Sequence, residues 1–483
     1  MRSTLTAAPR GIQDGQGSQR VAKVLSWPPS INQAGAALRS GAVSCTGLVE
    51  TCLAHIAERN PSLNAFITLT GNEALAVAEN LDQKLRAGVD LGPLHGIPIV
   101  LKDNIDTAGI RTTVGSTLFK DRVPEMDATI AARLRMAGAI ILGKTNMNEF
   151  AAGLTGTNQT FGNMHNPHDL AASPGGSSGG TAIAVASGLC LGGIGSDTSG
   201  SIRIPASWTG IVGLRPTYGR VSLAGVYPRA WSLDVAGPMG MRVADVANLL
   251  TPLVGHDAAD NHSVPSPTED FFGKLDMPLY KMRIGVIEGF SFHDIDPDVG
   301  DAVTAALNII SRELDVEVRT VTLPAISQTL DMHVLMSLLL YEFRQILGTQ
   351  YDRYASTPEL FGPIVHADMA AACAVSQNAY EKIIARCAGL RAEVLSIFKE
   401  VDFLMTPTMP MCAPPLDAPA AEFHRGRRFN FPFSYLGLPA LSLPCGSGRG
   451  NLPVGLQLVG NEFQESQMLR AAHAFENVLG TFA

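Results

Sequence analysis

Two glycine-rich stretches place serines where a nucleophile and its support could sit. Ser173-Pro174-Gly175-Gly176-Ser177-Ser178-Gly179-Gly180 sets a serine pair between two glycine pairs, directly ahead of an apolar run. Such a loop can present hydroxyls and backbone N–H groups together, though an ordinary turn or an anion-binding loop at a helix N-terminus would look the same. It lacks the Gly-Lys-Ser/Thr ending of a Walker loop, which argues against a nucleotide. The second stretch runs Gly195-Ser196-Asp197-Thr198-Ser199-Gly200-Ser201-Ile202-Arg203. Its last serine follows several consecutive backbone N–H groups, an arrangement able to hold an oxyanion. A polar turn before a strand is the plain alternative.

A serine is a weak nucleophile until a base takes its proton. None of the eleven histidines lies in a triad context. Lysine can serve if burial lowers its pKa, and Lys102 closes the apolar run Gly96-Ile97-Pro98-Ile99-Val100-Leu101 just before Asp103-Asn104. That places an amine at the end of a core strand, where a structural ion pair with Asp103 is the competing reading. His165 and His168, with Asp169, flank the Asn166-Pro167 loop rather than riding on a helix. No metal site is expected there, and no cofactor anywhere.

The elements that must position these residues follow from periodicity. Leu48, Val49, Cys52, Leu53 and Ile56 have helical spacing, with a Ser/Thr N-cap available and Asn60-Pro61 as the stop. Ile97 to Leu101 is a short strand, Asp127 opens a helix ending near Gly138, and Ala139 to Leu142 is a buried strand. Helical periodicity returns at Thr181 to Ser187, inside a buried helix that leads into a strand; the whole run to Gly195 is too short and too polar to span a membrane. Residues from about Val303 to Glu400 are mostly helical, and Glu465 to Leu479 is an amphipathic closing helix. The alternation indicates an α/β fold.

Length and composition bound the rest. At about 150 residues per domain, 483 residues would suggest about three domains. A net charge of -8 provides no cationic field for a phosphate backbone, so nucleic acid is not expected as a partner. The seven cysteines are scattered and contain no CxxC pair, which reads as buried, reduced thiols. Residues 1–28 are polar, end at Pro28-Pro29 and are expected to form a flexible leader, with the folded domain over 29–483. With no apolar run for a signal peptide, the expected location is cytoplasmic.

Taken in order and spacing, these stretches resemble the amidase signature family. The likeness also takes in Asn60-Pro61-Ser62-Leu63-Asn64-Ala65-Phe66, Gly143-Lys144-Thr145-Asn146-Met147-Asn148-Glu149-Phe150, Gly437-Leu438-Pro439-Ala440 and Leu452-Pro453-Val454-Gly455-Leu456-Gln457. It implies one α/β domain, with a large mixed β-sheet core surrounded by helices, rather than three. It also implies roles: Ser201 as nucleophile, Ser177 after a cis peptide as bridge, and Lys102 as the base that is neutral at rest. The N–H groups of Thr198, Ser199, Gly200 and Ser201 would form the oxyanion hole, with Ser178, Asp197 and Arg203 in support. Ala151, Ala152, Gly153 and Leu154 resemble the family's substrate pocket, with Trp208, Tyr227, Trp231, Phe431 and Phe433 as further candidates.

The implied reaction is hydrolysis of a small carboxylic amide, aryl amide, carbamate or ester through an acyl-enzyme. No membrane partner is expected, and a homodimer is left open. Two alternatives stand beside it. A non-catalytic binding protein of the same fold would lack at least one relay residue, whereas all three are present. The A subunit of a glutamine-dependent aminoacyl-tRNA amidotransferase would read an ammonium group with an acidic residue ahead of Gly-Leu-Pro-Ala; here Arg425-Gly426-Arg427-Arg428-Phe429-Asn430-Phe431 is basic and aromatic. The sequence departs from the family at Ser199, where many members have glycine, and at Met241, with the basic residue one later at Arg242.

Overall fold

A computed structural model of the chain describes residues 21, 24–329, 331–354 and 357–480. Its centre is one eleven-stranded sheet. The strands are β1 (Phe66–Leu69), β2 (Pro98–Lys102), β3 (Ile140–Thr145), β4 (Gly193–Asp197), β5 (Val212–Arg215), β6 (Val235–Gly240), β7 (Met282–Ile287), β8 (Val316–Val321), β9 (Phe403–Pro407), β10 (Ala440–Ser447) and β11 (Pro453–Val459). Their spatial order is β1-β3-β2-β4-β6-β5-β10-β11-β9-β7-β8. The β3-β2-β4 and β9-β7-β8 neighbours are parallel and the remaining pairs antiparallel, so the sheet is mixed. Helices cover it, and β2, β3 and β4 are buried along their whole length, as expected for parallel strands sandwiched on both faces.

The helix Gly179–Ala186 lies directly over β2 and β4, and its approach is set by a missing side chain. A Cβ at Gly193 would stand 2.7 Å from Thr181 Cγ2 and 2.8 Å from Val100 Cγ2. Only glycine lets the helix sit so close, and this brings Ser177 and Ser178, at its start, over the end of β2.

Several sequence expectations shift. The helix Cys45–Leu63 runs through Pro61 rather than stopping at it, because Leu63 is buried and Asn64, at φ 52, takes the left-handed cap. The helix expected to open at Asp127 begins only at Thr129, because the Asp127 carboxylate instead accepts the N–H of Ala108 and pairs with Arg135. The helix after the paired serines begins at Gly179, two residues before the expected start. The mostly helical stretch contains the edge strand β8, whose middle faces outward and carries the Arg319–Glu317 pair. Among the cysteines expected to be buried, Cys373 is exposed and Cys387 and Cys445 are half-buried. Trp27 donates to Gly188 O at 2.8 Å and stacks on His55, so packing against the body begins before Pro28. Of the leader expected over residues 1–28, residues 1–20, 22 and 23 lie outside the described residues. Among the described residues no helix is long and apolar enough to cross a membrane.

Candidate active site

Strands β2 and β4 pair in parallel with Val100 opposite Gly193 and Leu101 opposite Ile194. This register sets Lys102 beside the end of β4. Lys102 is fully buried, with Nζ 2.7 Å from Ser177 Oγ, 2.9 Å from Ser196 Oγ and 3.4 Å from Ser196 O. Burial pushes its pKa down to about 7, against the opposing pull of Asp234 and Asp197. The competing ion pair with Asp103 does not form. Asp103 Oδ2 accepts the N–H groups of Thr113 at 2.9 Å and Gly115 at 3.3 Å, and the charge acting on its carboxyl is that of Lys144. Lys144 in turn donates to Ile105 O, Thr107 Oγ1 and Thr112 Oγ1.

The serine loop is fastened at several points. Its Gly176–Ser177 peptide is cis. The Ser178 N–H donates to Ser201 O at 3.2 Å, while Ser178 Oγ donates to Ser196 O at 3.1 Å and accepts the Ser196 N–H at 3.3 Å. The two glycine-rich stretches, separate in sequence, therefore meet at the end of β2.

The loop after β4 is folded around the Asp197 carboxylate. Its oxygens accept the N–H of Gly200 at 2.7 Å and of Ile202 at 3.2 Å, and pair with Arg203 at 3.0 Å and Arg215 at 3.3 Å. Burial alone would raise the Asp197 pKa, but the two guanidiniums hold it well below the ordinary carboxylate range. Gly200 has φ +121, and a Cβ there would lie 2.7 Å from Ile204 Cδ1, so the turn into Ser201 needs glycine. Its N–H, expected in the oxyanion hole, is taken by Asp197. Arg203 reaches onward to Gln457 Oε1 at 2.8 Å and Ser434 Oγ at 2.7 Å, tying the loop to the C-terminal strands.

The expected pocket residues are dispersed. Leu154 lies against the cis peptide, its carbonyl carbon 3.3 Å from where a Gly176 Cβ would be. Ala151 belongs to an apolar cluster with Phe150 and Phe343, against which Tyr227 packs; Ala152 is buried beside it and Gly153 follows at φ +124. Tyr227 and Trp231 line a cavity of about 270 Å³ together with Asn104, Ser196, Arg229 and Asp234. Trp208 is instead a core residue, donating to Met411 O at 3.1 Å and packing edge-on against Phe423. Phe431 stacks on Tyr435 and shares an apolar cluster with Phe433. Arg242, from the Met241 departure, is the N-cap residue of the helix Val243–Leu250. The rings of His165 and His168 bond to the carbonyls of Leu170 and Thr209.

Three residues near the site were not singled out by sequence reasoning. Asn104 Nδ2 donates to Ser196 Oγ at 3.1 Å. Arg427 Nη1 donates to Ser199 Oγ at 3.2 Å, and Arg229 lies on the cavity wall. Asn104 follows Lys102 by two positions and Arg427 belongs to the basic stretch before Gly-Leu-Pro-Ala, but nothing in the sequence links either arginine to the serine loops.

One sheet with a buried lysine at a strand end, beside two glycine-rich serine loops, is the architecture of an amidase-type enzyme. The sequence model of the family described as Amidase matches residues 47–469, and the chain belongs to this family, the amidase signature enzymes. It is 37% identical over 471 residues to the A subunit of the glutamyl-tRNA(Gln) amidotransferase from Synechococcus sp. strain CC9605, covering 92% of this chain and 95% of the relative. Among solved structures it superimposes on the native peptide amidase of Stenotrophomonas maltophilia with a TM-score of 0.83 at 31% identity, covering 94% of this chain and 97% of that one. The A subunit of the glutamyl-tRNA(Gln) amidotransferase from Thermotoga maritima gives 0.79 at 29% identity, covering 94% and 98%.

Proposed function

We propose that this chain hydrolyses the C–N bond of a carboxylic amide through an acyl-enzyme on Ser201, with Ser177 as proton bridge and Lys102 as base. The observation that carries the reading is Lys102 Nζ, fully buried and 2.7 Å from Ser177 Oγ with no carboxylate paired to it among the described residues. A neutral amine has two protons and one lone pair. Ser196 O can only accept, and Ser196 Oγ also stands within reach, so these two take the protons and the lone pair is left for the Ser177 hydroxyl. The Ser177 oxygen then accepts the Ser201 proton as Ser201 Oγ attacks the carbonyl. The N–H groups of Thr198, Ser199 and Ser201 stabilise the oxyanion, and the proton returns along the same path to the leaving nitrogen. Water, activated by the same relay, releases the acid.

A second reading is the A subunit of an amidotransferase, favoured by the name of the 37%-identical relative that matches nearly end to end. It shares the chemistry at Ser201 but would bring other protein chains and a tRNA, against the expectation of small-molecule partners alone. Arg427, in the stretch where those proteins are expected to carry an acidic residue, speaks for the hydrolase. A panel of amides, anilides, carbamates, esters and glutamine, read by product mass with and without an activated phosphonate, tests both. A phosphonate adduct on the Ser201 peptide with hydrolysis by the isolated chain supports the first reading. Glutamine as the sole substrate, cleaved only when the other chains of such a complex are added, replaces it with the second.

A further inference from the structure

Arg427 and Arg229 reach the serine loop from different parts of the chain. Arg427, between the helices Ala420–Arg425 and Phe431–Tyr435, is 8% exposed and donates through Nη1 to Ser199 Oγ at 3.2 Å. Arg229 is 6% exposed. Its backbone N–H donates to Asp234 Oδ2 at 2.7 Å, and the other oxygen of that carboxylate accepts Thr198 Oγ1 at 2.6 Å. The Arg427 guanidinium thus touches Ser199, and the backbone of Arg229 is tied through Asp234 to Thr198, both in the loop that leads into Ser201, while the Arg229 guanidinium lies on the wall of the cavity that Ser196 also lines.

Their charges are not balanced. Arg229 Nη2 pairs with Asp368 Oδ2 at 2.6 Å, and its Cζ lies 3.8 Å from the centre of the Phe343 ring. Arg427 makes no ion pair among the described residues. Asp234 is occupied by Thr198, Arg229 N–H and Ala230 N–H, and Glu342 by Ser232 N–H and Tyr380 OH. Arg427 Nε and Arg229 Nη1 are buried without a hydrogen-bond partner among the described residues. Burial, then the repulsion of Arg229, pushes the Arg427 pKa down to about 10, with Asp368 opposing, and His424 is depressed by burial and by Arg427. Two buried cations with one carboxylate between them and an orphaned N–H on each are costly unless a ligand completes them.

We infer that the substrate carries a carboxylate close to the scissile amide and that Arg427, with Arg229 beside it, receives that group. This rests on the hydrolase reading for the location of the reacting carbonyl. A carboxylate would accept the free N–H groups, neutralise the excess charge and fix the amide against the oxyanion loop. A substrate ammonium in the same place would be repelled.

The test separates binding from turnover. In the Ser201→Ala variant, calorimetry compares the half-amides succinamate and glutaramate with the neutral diamides succinamide and glutaramide. At least one half-amide should bind tighter than its diamide by about tenfold or more. Arg427→Gln in the same background should erase the difference, while Arg427→Lys should restore part of it; circular dichroism checks that each variant is folded. Equal affinity for acid and amide, no binding of either half-amide at millimolar concentration, or a preference that survives Arg427→Gln overturns the inference. Turnover of the same compounds by the wild-type chain is read separately. Half-amides that bind selectively but are never cleaved count against the hydrolase reading and leave the carboxylate site standing.

Discussion

Lys102 and Asn104, two residues apart, meet on a single atom: Nζ and Nδ2 lie 2.9 and 3.1 Å from the Ser196 hydroxyl oxygen. With both groups donating, Ser196 Oγ acts as an acceptor and holds the amine's protons away from Ser177. Ser196 is therefore a positioning residue for the proposed relay. Ser196→Ala should lower kcat about tenfold with little change in KM, the scale of one lost hydrogen bond. A matching rise in KM with constant kcat would place Ser196 in substrate binding instead.

Replacing Lys102 itself separates a base from a structural cation. Arginine keeps the charge but cannot be deprotonated. Lys102→Arg and Lys102→Ala should both lose activity by about 10² to 10⁴-fold, the range for general acid–base catalysis. A folded Lys102→Arg enzyme turning over near the wild-type rate would remove lysine from the relay.

The acidity of Lys102 fixes the pH dependence. Its pKa is pushed down to about 7, so it is protonated and unable to accept below that pH and neutral above it. The logarithm of kcat/KM should rise with unit slope on the acid side and level off above about pH 7. The sign also holds for stability: the unfolded chain binds this proton up to the ordinary lysine value of 10.5, so this group makes stability increase with pH between about 7 and 10.5. A profile that is flat from pH 5 to 9 would contradict a titrating base.

Asp197 offers a test of stability. Asp197→Asn leaves Arg203 and Arg215 buried without their counter-charge and should destabilise the fold by about 3 to 5 kcal/mol in urea unfolding. In the native protein the carboxyl is held below its ordinary value of 3.8, so its contribution is complete above that pH and is lost as pH falls through the folded value. A loss under about 1 kcal/mol would mean the arginines find other partners.

The serine loops and the lysine were legible in sequence because their chemistry is local: glycine spacing opens a loop, and an apolar run announces a buried strand end. Other features were not. Nothing near Pro61 reveals that Leu63 is needed in the core, so the pattern alone ends the helix too early. Strand β8 is a six-residue edge strand with two buried ends, too short a signal against the helices around it. Trp208 reads as a pocket aromatic because side-chain type alone does not separate a cavity wall from a core. The Arg427–Ser199 bond joins residues 228 positions apart, and only the folded sheet brings them together.

That separation divides the labour of the chain. Every group in the proposed proton path lies between Lys102 and Ser201, while Arg427 arrives from a surface-to-core segment contributed by the last quarter of the sequence. On the carboxylate-binding role inferred for Arg427, substitutions near residue 427 would change which acyl group is bound without removing any group from the proposed proton path. Swapping residues 420–435 between two family members is the corresponding unit of redesign, with Ser434, whose hydroxyl accepts from Arg203, and Asn430, whose carbonyl accepts from Arg203 and whose side chain donates to Thr408 O and Gly426 O, retained so that the loop keeps its shape.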